Sequence, residues 1–306
     1  MSDTFFTASP HWTWFIIPYF FIGGLAGGAY FLAATLEWFG RPEDRPVMRT
    51  AYSLAFWGAI ISGALLTFDL GKPFRFWHMV FQSDNLPHLM FKAFSPISFG
   101  VWAILLFGLC AALSLIGAWS DEGRVRTAAA RPLRSGTMLA KLIAGLGGLM
   151  GFFVAGYTGV LLTVTNRPIW ADSPWLGALF LASGASTAAA ALILLAPGRG
   201  ATAGSIAWLE SFDMRALVVE LIILILFVGW LWPIRQVWLS VWGVVLLVGV
   251  VFAGICWPLI LRWKPRGAGA FSNPAVMVLL GGFLLRVVIL LSSNGIQHLT
   301  VTAIGR

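Results

Sequence analysis

Long apolar runs constrain the fold of this chain more than any other feature. A helix crosses about 30 Å of hydrocarbon with roughly 20 apolar residues, and eight stretches of the sequence are long enough to do so. They cover residues 12–38, 48–69, 94–119, 138–165, 174–197, 212–232, 236–261 and 272–292. Because backbone groups inside a bilayer must be hydrogen-bonded within their own segment, the sequence predicts an all-α integral membrane protein with about eight transmembrane helices.

Composition excludes a water-soluble fold. Hydrophobic residues make up 59% of the chain and charged residues 10%, against about 25% charged residues in a soluble domain.

We expect residues 1–306 to form one membrane domain of two four-helix bundles, helices one to four and five to eight. Small-residue stretches in helix one (GGLAGGA, 23–29) and helix five (SGASTAA, 183–189) indicate either a duplication or independent close packing. The first run is too long for a signal peptide, so helix one is expected to be a retained span.

The net charge of +8 indicates membrane topology rather than nucleic-acid binding. Lys and Arg concentrate in cytoplasmic loops, and the loops after helices one, three, five and seven hold eleven of them, against six in the other loops and termini. The eleven are Arg41, Arg45, Arg49, Arg124, Arg126, Arg131, Arg134, Arg199, Arg262, Lys264 and Arg266; the six are Lys72, Arg75, Lys92, Arg167, Arg235 and Arg306. Both termini are therefore predicted to lie outside.

The longest outer loop, residues 70–93, combines charged residues and histidines with several aromatic residues. Such a segment either lies along the membrane interface or forms a docking surface for a partner protein.

Cysteine and histidine positions argue against a metal cofactor in this protein. Cys110 and Cys256 are isolated within apolar runs, whereas an iron–sulfur cluster uses four cysteines. Histidines occur only in outer loops or near the termini, at His11, His78, His88 and His298. A membrane haem needs ligands within the helices, so we expect neither haem, nor iron–sulfur cluster, nor metal site here.

Polar residues on four helices predict a binding site. An ionisable group within a span costs at least about 2.5–3.5 kcal/mol, which makes each one a functional hypothesis. At about 1.5 Å of rise per residue, Tyr19, Asp69, Tyr157 and Arg286 share one depth in the outer third of the membrane. An apolar pocket with a few donors and one carboxylate suits a quinone, whose carbonyls accept hydrogen bonds and whose reduction takes up two protons.

In this hypothesis Tyr157 donates to a quinone carbonyl and Asp69 handles a proton. Arg75 or His78 assists from the mouth of the pocket, since histidine titrates near neutrality. The alternative is structural: Asp69 pairs with Arg75 or Arg286, and the tyrosines are interfacial anchors.

Glu220 is a second buried carboxylate, about 12 Å into helix six. With Asp69, Lys141 and Arg215 it could form a proton path to the inner side. The alternative is an ion pair of Glu220 with Lys141 or Arg215.

Several motifs resemble one known family. The stretch HWTWFIIPYFFIGGLAGGAYFL begins at residue 11, LGKPFRFWHM follows Asp69, GYTGVLLTVTNRPIW covers 156–170 and SPWLGALFLASGAS covers 173–186. They occur in the same order as in the NrfD-like membrane subunits, which include the polysulfide reductase membrane subunit. The likeness runs through nearly the whole sequence and is strongest from residue 11 to about 190.

The resemblance implies a multi-pass subunit of the bacterial cytoplasmic membrane that binds quinone or quinol, menaquinone or ubiquinone, without a redox cofactor of its own. It implies an iron–sulfur partner on the periplasmic face and a catalytic subunit that is a molybdopterin enzyme or a multihaem cytochrome. It also places Tyr157 in the quinone pocket, Asp69 at an acidic position, and Arg215 and Arg286 at basic ones. Some members have a histidine where this protein has Tyr19, and an asparagine in place of Ile16.

The sequence therefore predicts a quinone-binding membrane anchor of a respiratory oxidoreductase, not catalytic alone. One rival is a secondary transporter, which would have Gly- or Pro-interrupted spans near the midplane in both halves. The other rival is a structural anchor without a ligand.

Overall fold

The apolar runs fold into long helices in the computed structural model, which describes residues 12, 14–263 and 273–304. These helices are α1 (Ile16–Phe39), α2 (Arg45–Asp69), α3 (Pro96–Asp121), α4 (Met138–Thr163), α5 (Leu176–Leu195), α6 (Ala203–Trp230), α7 and α8 (Pro274–Ile304). Helix α7 consists of an α-helical turn (Val241–Val244), a π-helical segment (Val245–Cys256) and a second α-helical segment (Trp257–Trp263).

Helix length and surface character confirm an all-α integral membrane protein. In the described part of the protein, seven helices are long and apolar enough to cross a membrane. Their outer faces expose large apolar side chains, such as Leu149 and Leu247, each more than 60% exposed. The remaining long helix, α6, has 28 residues and carries three charged groups along its apolar part. The total of eight spans and the placement of both termini outside stay predictions.

Consecutive helices run antiparallel, so the assembly has two ends. At the Ile16 end, where α1 begins and α4 ends, the ring of Trp12 stacks on Trp170 with 5.2 Å between centroids. At the opposite Phe39 end, Ser205 donates to the carboxylate of Asp44 over 2.6 Å. The prediction places the Ile16 end outside the membrane and the Phe39 end in the cytoplasm.

Helix α1 is central, and its glycines explain why. It packs against α2, α4 and α5, and α5 in turn packs against α4, α6 and α8. A Cβ on Gly27 would overlap the carbonyl oxygen of Gly151 in α4, and one on Gly28 would lie 2.5 Å from the carbonyl oxygen of Gly184 in α5. Small residues of this kind let membrane helices approach closely. The two sets of four helices thus meet through α1 and α5, and their division into two bundles stays a prediction.

Three helix boundaries differ from the apolar runs by five residues or more: the starts of α6 and α7, and the end of α8, which reaches Ile304 rather than residue 292. Helix α6 begins at Ala203 rather than at residue 212, because Thr202 caps it by accepting from the backbone N–H of Ser205 over 3.2 Å. Hydropathy marks only the part of a helix that suits hydrocarbon, and the polar first turns of α6 lie before it. Helix α7 begins at Val241 rather than at residue 236, since residues 232–234 form a short 3₁₀ turn.

The predicted outer loop is largely ordered without a long helix. It contains a 3₁₀ helix (Pro73–Met79) and one antiparallel backbone pairing between Phe81 and Leu89. Phe74 is 93% exposed. Both roles considered for the loop, interfacial segment and docking surface, stay open.

Candidate functional site

Tyr157 is held in a fixed position between α3 and α4. Its ring packs directly over Gly100, where a Cβ would overlap the phenolic oxygen. The Tyr157 hydroxyl donates to the carbonyl of Pro96 in the first turn of α3. The ring of Phe153 stacks on it at 5.3 Å between centroids. A glycine, a carbonyl and an aromatic ring together define where this phenol lies.

Tyr19 lies close to Tyr157. It is 1% exposed and belongs to the buried face of α1, and the two phenols are near enough to interact electrostatically. Gly23 lies one turn further along α1. A Cβ on Gly23 would lie 3.6 Å from the Tyr19 ring and 3.6 Å from the hydroxyl of Ser62 in α2. The Ser62 hydroxyl is buried and makes no hydrogen bond within the described residues. We call Tyr19, Ser62 and Tyr157 the tyrosine site.

Three predicted residues lie beyond the tyrosine site at the Ile16 end. Asp69 is the last residue of α2 and is half-buried, and Arg75 is exposed on the 3₁₀ helix that follows. His78 shares a hydrogen bond with Ser83 in its own loop and packs its ring against Trp77. Their predicted roles at the mouth of the site stay predictions.

Arg286, a residue of α8, packs against a different face of α1 from the one that carries Tyr19. Gly23 faces Ser62, whereas the next residue, Gly24, faces the guanidinium of Arg286. A Cβ on Gly24 would lie 3.4 Å from a terminal nitrogen of that guanidinium. Arg286 is fully buried; it donates to the Ser183 hydroxyl, to the carbonyl of Gly282 over 2.9 Å and to that of Phe180 over 3.2 Å. The structure therefore brings Tyr19 and Tyr157 together and groups Arg286 with other residues.

The neighbours of Arg286 belong to a series of buried polar groups. Glu220 of α6 is 3% exposed and interacts with Arg286 and with Ser183 of α5. Ser186 interacts with Glu220 and with Asp213, which precedes Glu220 by two helical turns, but its buried hydroxyl makes no hydrogen bond within the described residues.

At the Phe39 end of the series, Asp213 forms an ion pair with Arg262 of α7. The second terminal nitrogen of Arg262 donates to the carbonyl of Glu210 over 2.9 Å. Buried charges are expensive unless they are paired; here Asp213 is paired with Arg262, and Glu220 is attracted by Arg286 without a salt bridge. We call Arg286, Ser183, Glu220, Ser186, Asp213 and Arg262 the buried ion array.

Lys141 and Arg215 lie outside this array. The ammonium of Lys141 is 5.8 Å from the centre of the Trp38 ring, whose N–H donates to the Lys141 carbonyl. Arg215 is exposed on α6 and donates to the carbonyl of Ser211 over 3.1 Å. The structure thus supplies Arg286, rather than either of these two, as the cation beside Glu220.

Sequence reasoning did not single out several residues of these sites. Asp213 and Glu220 are seven residues apart, a spacing that puts both on one helix face and could have indicated the array. Ser62, Ser183 and Ser186 give no comparable signal, because serines are common where membrane helices pack.

Arg167 is one of the charged loop residues, but in the structure it is buried against Trp170. It is 7% exposed, with its guanidinium carbon 5.0 Å from the centre of the Trp170 ring. Trp170 in turn donates to the carbonyl of Ile289 over 2.8 Å. The end of the GYTGVLLTVTNRPIW stretch therefore fastens the loop between α4 and α5 to α8.

The donor set of the tyrosine site fits an apolar ligand with carbonyl groups. Two phenols and a hydroxyl can donate hydrogen bonds, and the apolar rings of Phe20 and Phe153 pack against the two phenols. Among the described residues, no three His, Cys, Asp or Glu side chains converge as metal ligands would.

This protein is similar to known proteins of one family over nearly the whole length of its sequence. The family model described as "Polysulphide reductase, NrfD" matches residues 3–296. A polysulfide reductase subunit of Wolinella succinogenes is 28% identical, over 91% of the present sequence and 93% of the relative. Protein NrfD of Escherichia coli is 28% identical and the NrfD homolog of Haemophilus influenzae 26% identical, each over 94% of the present sequence and 95% of the relative.

Proposed function

Because this protein belongs to the polysulphide reductase NrfD family, we propose that it is the quinone-reactive membrane anchor of a respiratory oxidoreductase. It binds quinone or quinol, menaquinone or ubiquinone, at the tyrosine site. It exchanges electrons with an iron–sulfur subunit docked at the Ile16 end, and that subunit serves a molybdopterin or multihaem catalytic subunit. The Wolinella relative is named as one of the polypeptides of a polysulfide reductase, which supports a place in a multi-subunit enzyme.

The observation that supports this proposal most is the meeting of two phenols and an unsatisfied buried hydroxyl. An unpaired buried donor costs about 1–3 kcal/mol, so Ser62 indicates a partner that the described residues do not supply. Bound quinone would supply two-electron, two-proton redox chemistry. Tyr19 and Ser62 would donate to its carbonyl groups, and the surrounding rings would exclude water.

Tyr157 has a more specific part. Its one hydroxyl proton is engaged by the Pro96 carbonyl, so the phenol must exchange that bond to donate to a ligand. Net hydrogen-bond energies of about 0.5–1.5 kcal/mol make such an exchange inexpensive. A phenol is a weak acid near neutrality, so the protons must pass through another group. Asp69, at the end of α2, is our candidate.

Quinone binding by the purified protein tests the tyrosine site. We would titrate wild type, Tyr157→Phe and Ser62→Ala with a short-chain ubiquinone and a short-chain menaquinone, following quenching of tryptophan fluorescence. Each variant should bind at least about fivefold more weakly, the loss of roughly one hydrogen bond. Tyr52→Phe is the matched control, since Tyr52 is also a buried tyrosine but lies on the far half of α2.

Quinol oxidation by the assembled complex tests the proton role of Asp69. Asp69→Asn should lower turnover while leaving the affinity for quinone close to wild type. If Tyr157→Phe, Ser62→Ala and Asp69→Asn all behave as wild type in both measurements, the quinone site lies elsewhere.

The buried ion array supports a second proposal, in which protons move between the tyrosine site and the Phe39 end. The two sites approach each other at α1, where Gly23 faces Tyr19 and Ser62 and the neighbouring Gly24 faces Arg286. From there the path runs through Glu220, Ser186 and Asp213. In this route Arg262 takes the place at the inner end that we had expected for Lys141 and Arg215.

Proteoliposomes that contain the complex distinguish this proposal from a purely structural ion array. Glu220→Gln should abolish the membrane potential generated by quinol oxidation but leave part of the oxidation itself. Glu43→Gln, an exposed carboxylate paired with Arg41, is the control. A transporter without redox activity would generate no potential on addition of quinol.

A further inference from the structure

A groove on the outside of the helical assembly lies apart from both sites. It has a volume of about 600 Å³ and runs between α1, α4, α5 and α6, where the two sets of helices meet. Aromatic side chains form its walls, among them Phe31, Phe152 and Phe212. Small residues such as Ala182 and Ala185 form its floor.

Arg215 is the one charged residue that lines this groove within the described part of the protein. There it donates only to the carbonyl and hydroxyl of Ser211, and the ion pairs found among the described residues do not include it. Ser211 is one turn nearer the start of α6, so the guanidinium extends toward the Phe39 end, as a snorkelling arginine does. Arginine has five N–H donors in a planar fork, and two N–H groups are engaged here.

The depth of Arg215 matches a lipid headgroup. It lies 15 residues before Trp230, which at about 1.5 Å per residue is roughly 22 Å from the Ile16 end of α6. Adding the reach of the side chain puts the guanidinium near the edge of a hydrocarbon layer about 30 Å thick. The apolar lining extends from there to Ile223, about 12 Å back toward the membrane interior.

We propose that this groove binds one anionic phospholipid, with its phosphate on Arg215 and one acyl tail along the apolar channel. The fork of an arginine matches phosphate oxygens, and a lone cation at headgroup depth favours a lipid with net negative charge. A ligand that is apolar throughout would fill the channel but leave the free donors of Arg215 without acceptors. The lipid would fill the surface junction between α1 and α4 on one side and α5 and α6 on the other.

Lipid binding to the purified protein tests the headgroup contact. We would delipidate the protein, add phosphatidylglycerol or phosphatidylcholine of matched acyl length, and measure bound lipid by native mass spectrometry together with the melting temperature. Phosphatidylglycerol should bind and raise the melting temperature of wild type more than phosphatidylcholine does. Arg215→Gln should weaken phosphatidylglycerol binding about fivefold, which corresponds to one arginine near an anionic surface. Arg131→Gln, an exposed arginine also at the Phe39 end, should leave it unchanged.

A second variant tests the apolar channel that holds the acyl tail. Ala185→Leu puts a larger side chain into the groove and should reduce retention of either lipid, whereas Ala64→Leu on the exposed face of α2 should not. Equal binding of the two lipids, or unchanged binding by Arg215→Gln, would overturn the proposal. The proposal would also be overturned if quinone occupied the groove. In that case Ala185→Leu would lower the amount of co-purified quinone and leave the amount of bound phospholipid unchanged.

Discussion

At the residue scale, the position of the phenol in the tyrosine site depends on the residue opposite it. Tyr157 can reach the carbonyl of Pro96 only because Gly100 has no side chain. Gly108, two turns further along α3, has nothing within 4 Å of where its Cβ would stand. One helix therefore offers both a test position and a matched control.

Gly100→Ala should displace Tyr157 and weaken both packing and ligand binding. The added methyl overlaps the phenol, and overpacking of this kind costs about 1–3 kcal/mol. We expect a lower melting temperature and a loss of quinone-analogue affinity at least as large as that of Tyr157→Phe. Gly108→Ala should change neither. Normal quinone affinity in Gly100→Ala would show that the site does not need Tyr157 where the structure places it.

Arg286 and Glu220 should be energetically coupled. The two buried charges attract each other without forming a salt bridge within 4 Å, so removing one leaves the other less compensated, at a cost of up to about 3–5 kcal/mol. We therefore expect Glu220→Gln and Arg286→Gln each to destabilise the protein strongly in thermal or denaturant unfolding. The double variant should be more stable than the sum of the two effects predicts, with a coupling of about 0.5–3 kcal/mol. Additive losses would mean that Arg286 is satisfied by Ser183, Gly282 and Phe180 alone.

Some of these residues could be found from the sequence, and others could not. Tyr157 and Glu220 are recognisable because a hydrogen-bonding or ionisable group deep in an apolar run is costly. Depth along a helix, however, does not specify direction around it. Arg286 has the depth of the tyrosines, yet it faces the other side of α1, and only the packing of Gly24 against it reveals this.

At the element scale, the apolar runs predict where helices lie but not how they are wound or where they begin. The run at 236–261 becomes a helix whose central twelve residues are π-wound. Its side chains are almost uniformly apolar, so no periodicity marks the change. Gly254 packs against Gly281 of α8: a Cβ on Gly254 would lie 2.6 Å from the Cα of Gly281. Backbone proximity of this kind depends on tertiary packing, which a hydropathy pattern does not contain.

Gly28→Ala should separate α1 from α5. A Cβ there meets the backbone oxygen of Gly184, which cannot rotate away, so the helices must move apart at a cost of about 1–3 kcal/mol. We expect a reduced melting temperature in detergent, whereas Gly63→Ala in α2, with open space around it, should be neutral. If both variants melted alike, the glycines of α1 would not be what brings the two sets of helices together.

At the scale of the whole molecule, α1 separates two kinds of chemistry. On one face of α1, Tyr19 and Gly23 meet Ser62 of α2, whereas on another face the neighbouring Gly24 meets Arg286 of the buried ion array. A redox ligand on one side could therefore influence charges on the other through the backbone of a single helix. The resemblance to NrfD-like subunits predicts such a quinone subunit, but the arrangement on the two faces is visible only in the folded protein.

Which side of the membrane each site faces follows from topology, and this can be tested directly. The eleven-to-six distribution of Lys and Arg predicts that the Ile16 end and the tyrosine site lie outside, with Arg215 and the end of the ion array toward the cytoplasm. Asp84→Cys lies in the exposed loop after α2, and Thr127→Cys in the exposed loop after α3. In intact cells a membrane-impermeant thiol reagent should label Asp84→Cys and spare Thr127→Cys until the cells are opened. The native protein measures the background, since Cys110 is buried and Cys256 partly so. The reverse pattern would place the tyrosine site and the proposed iron–sulfur partner on the cytoplasmic face and invert the direction of the proposed proton path.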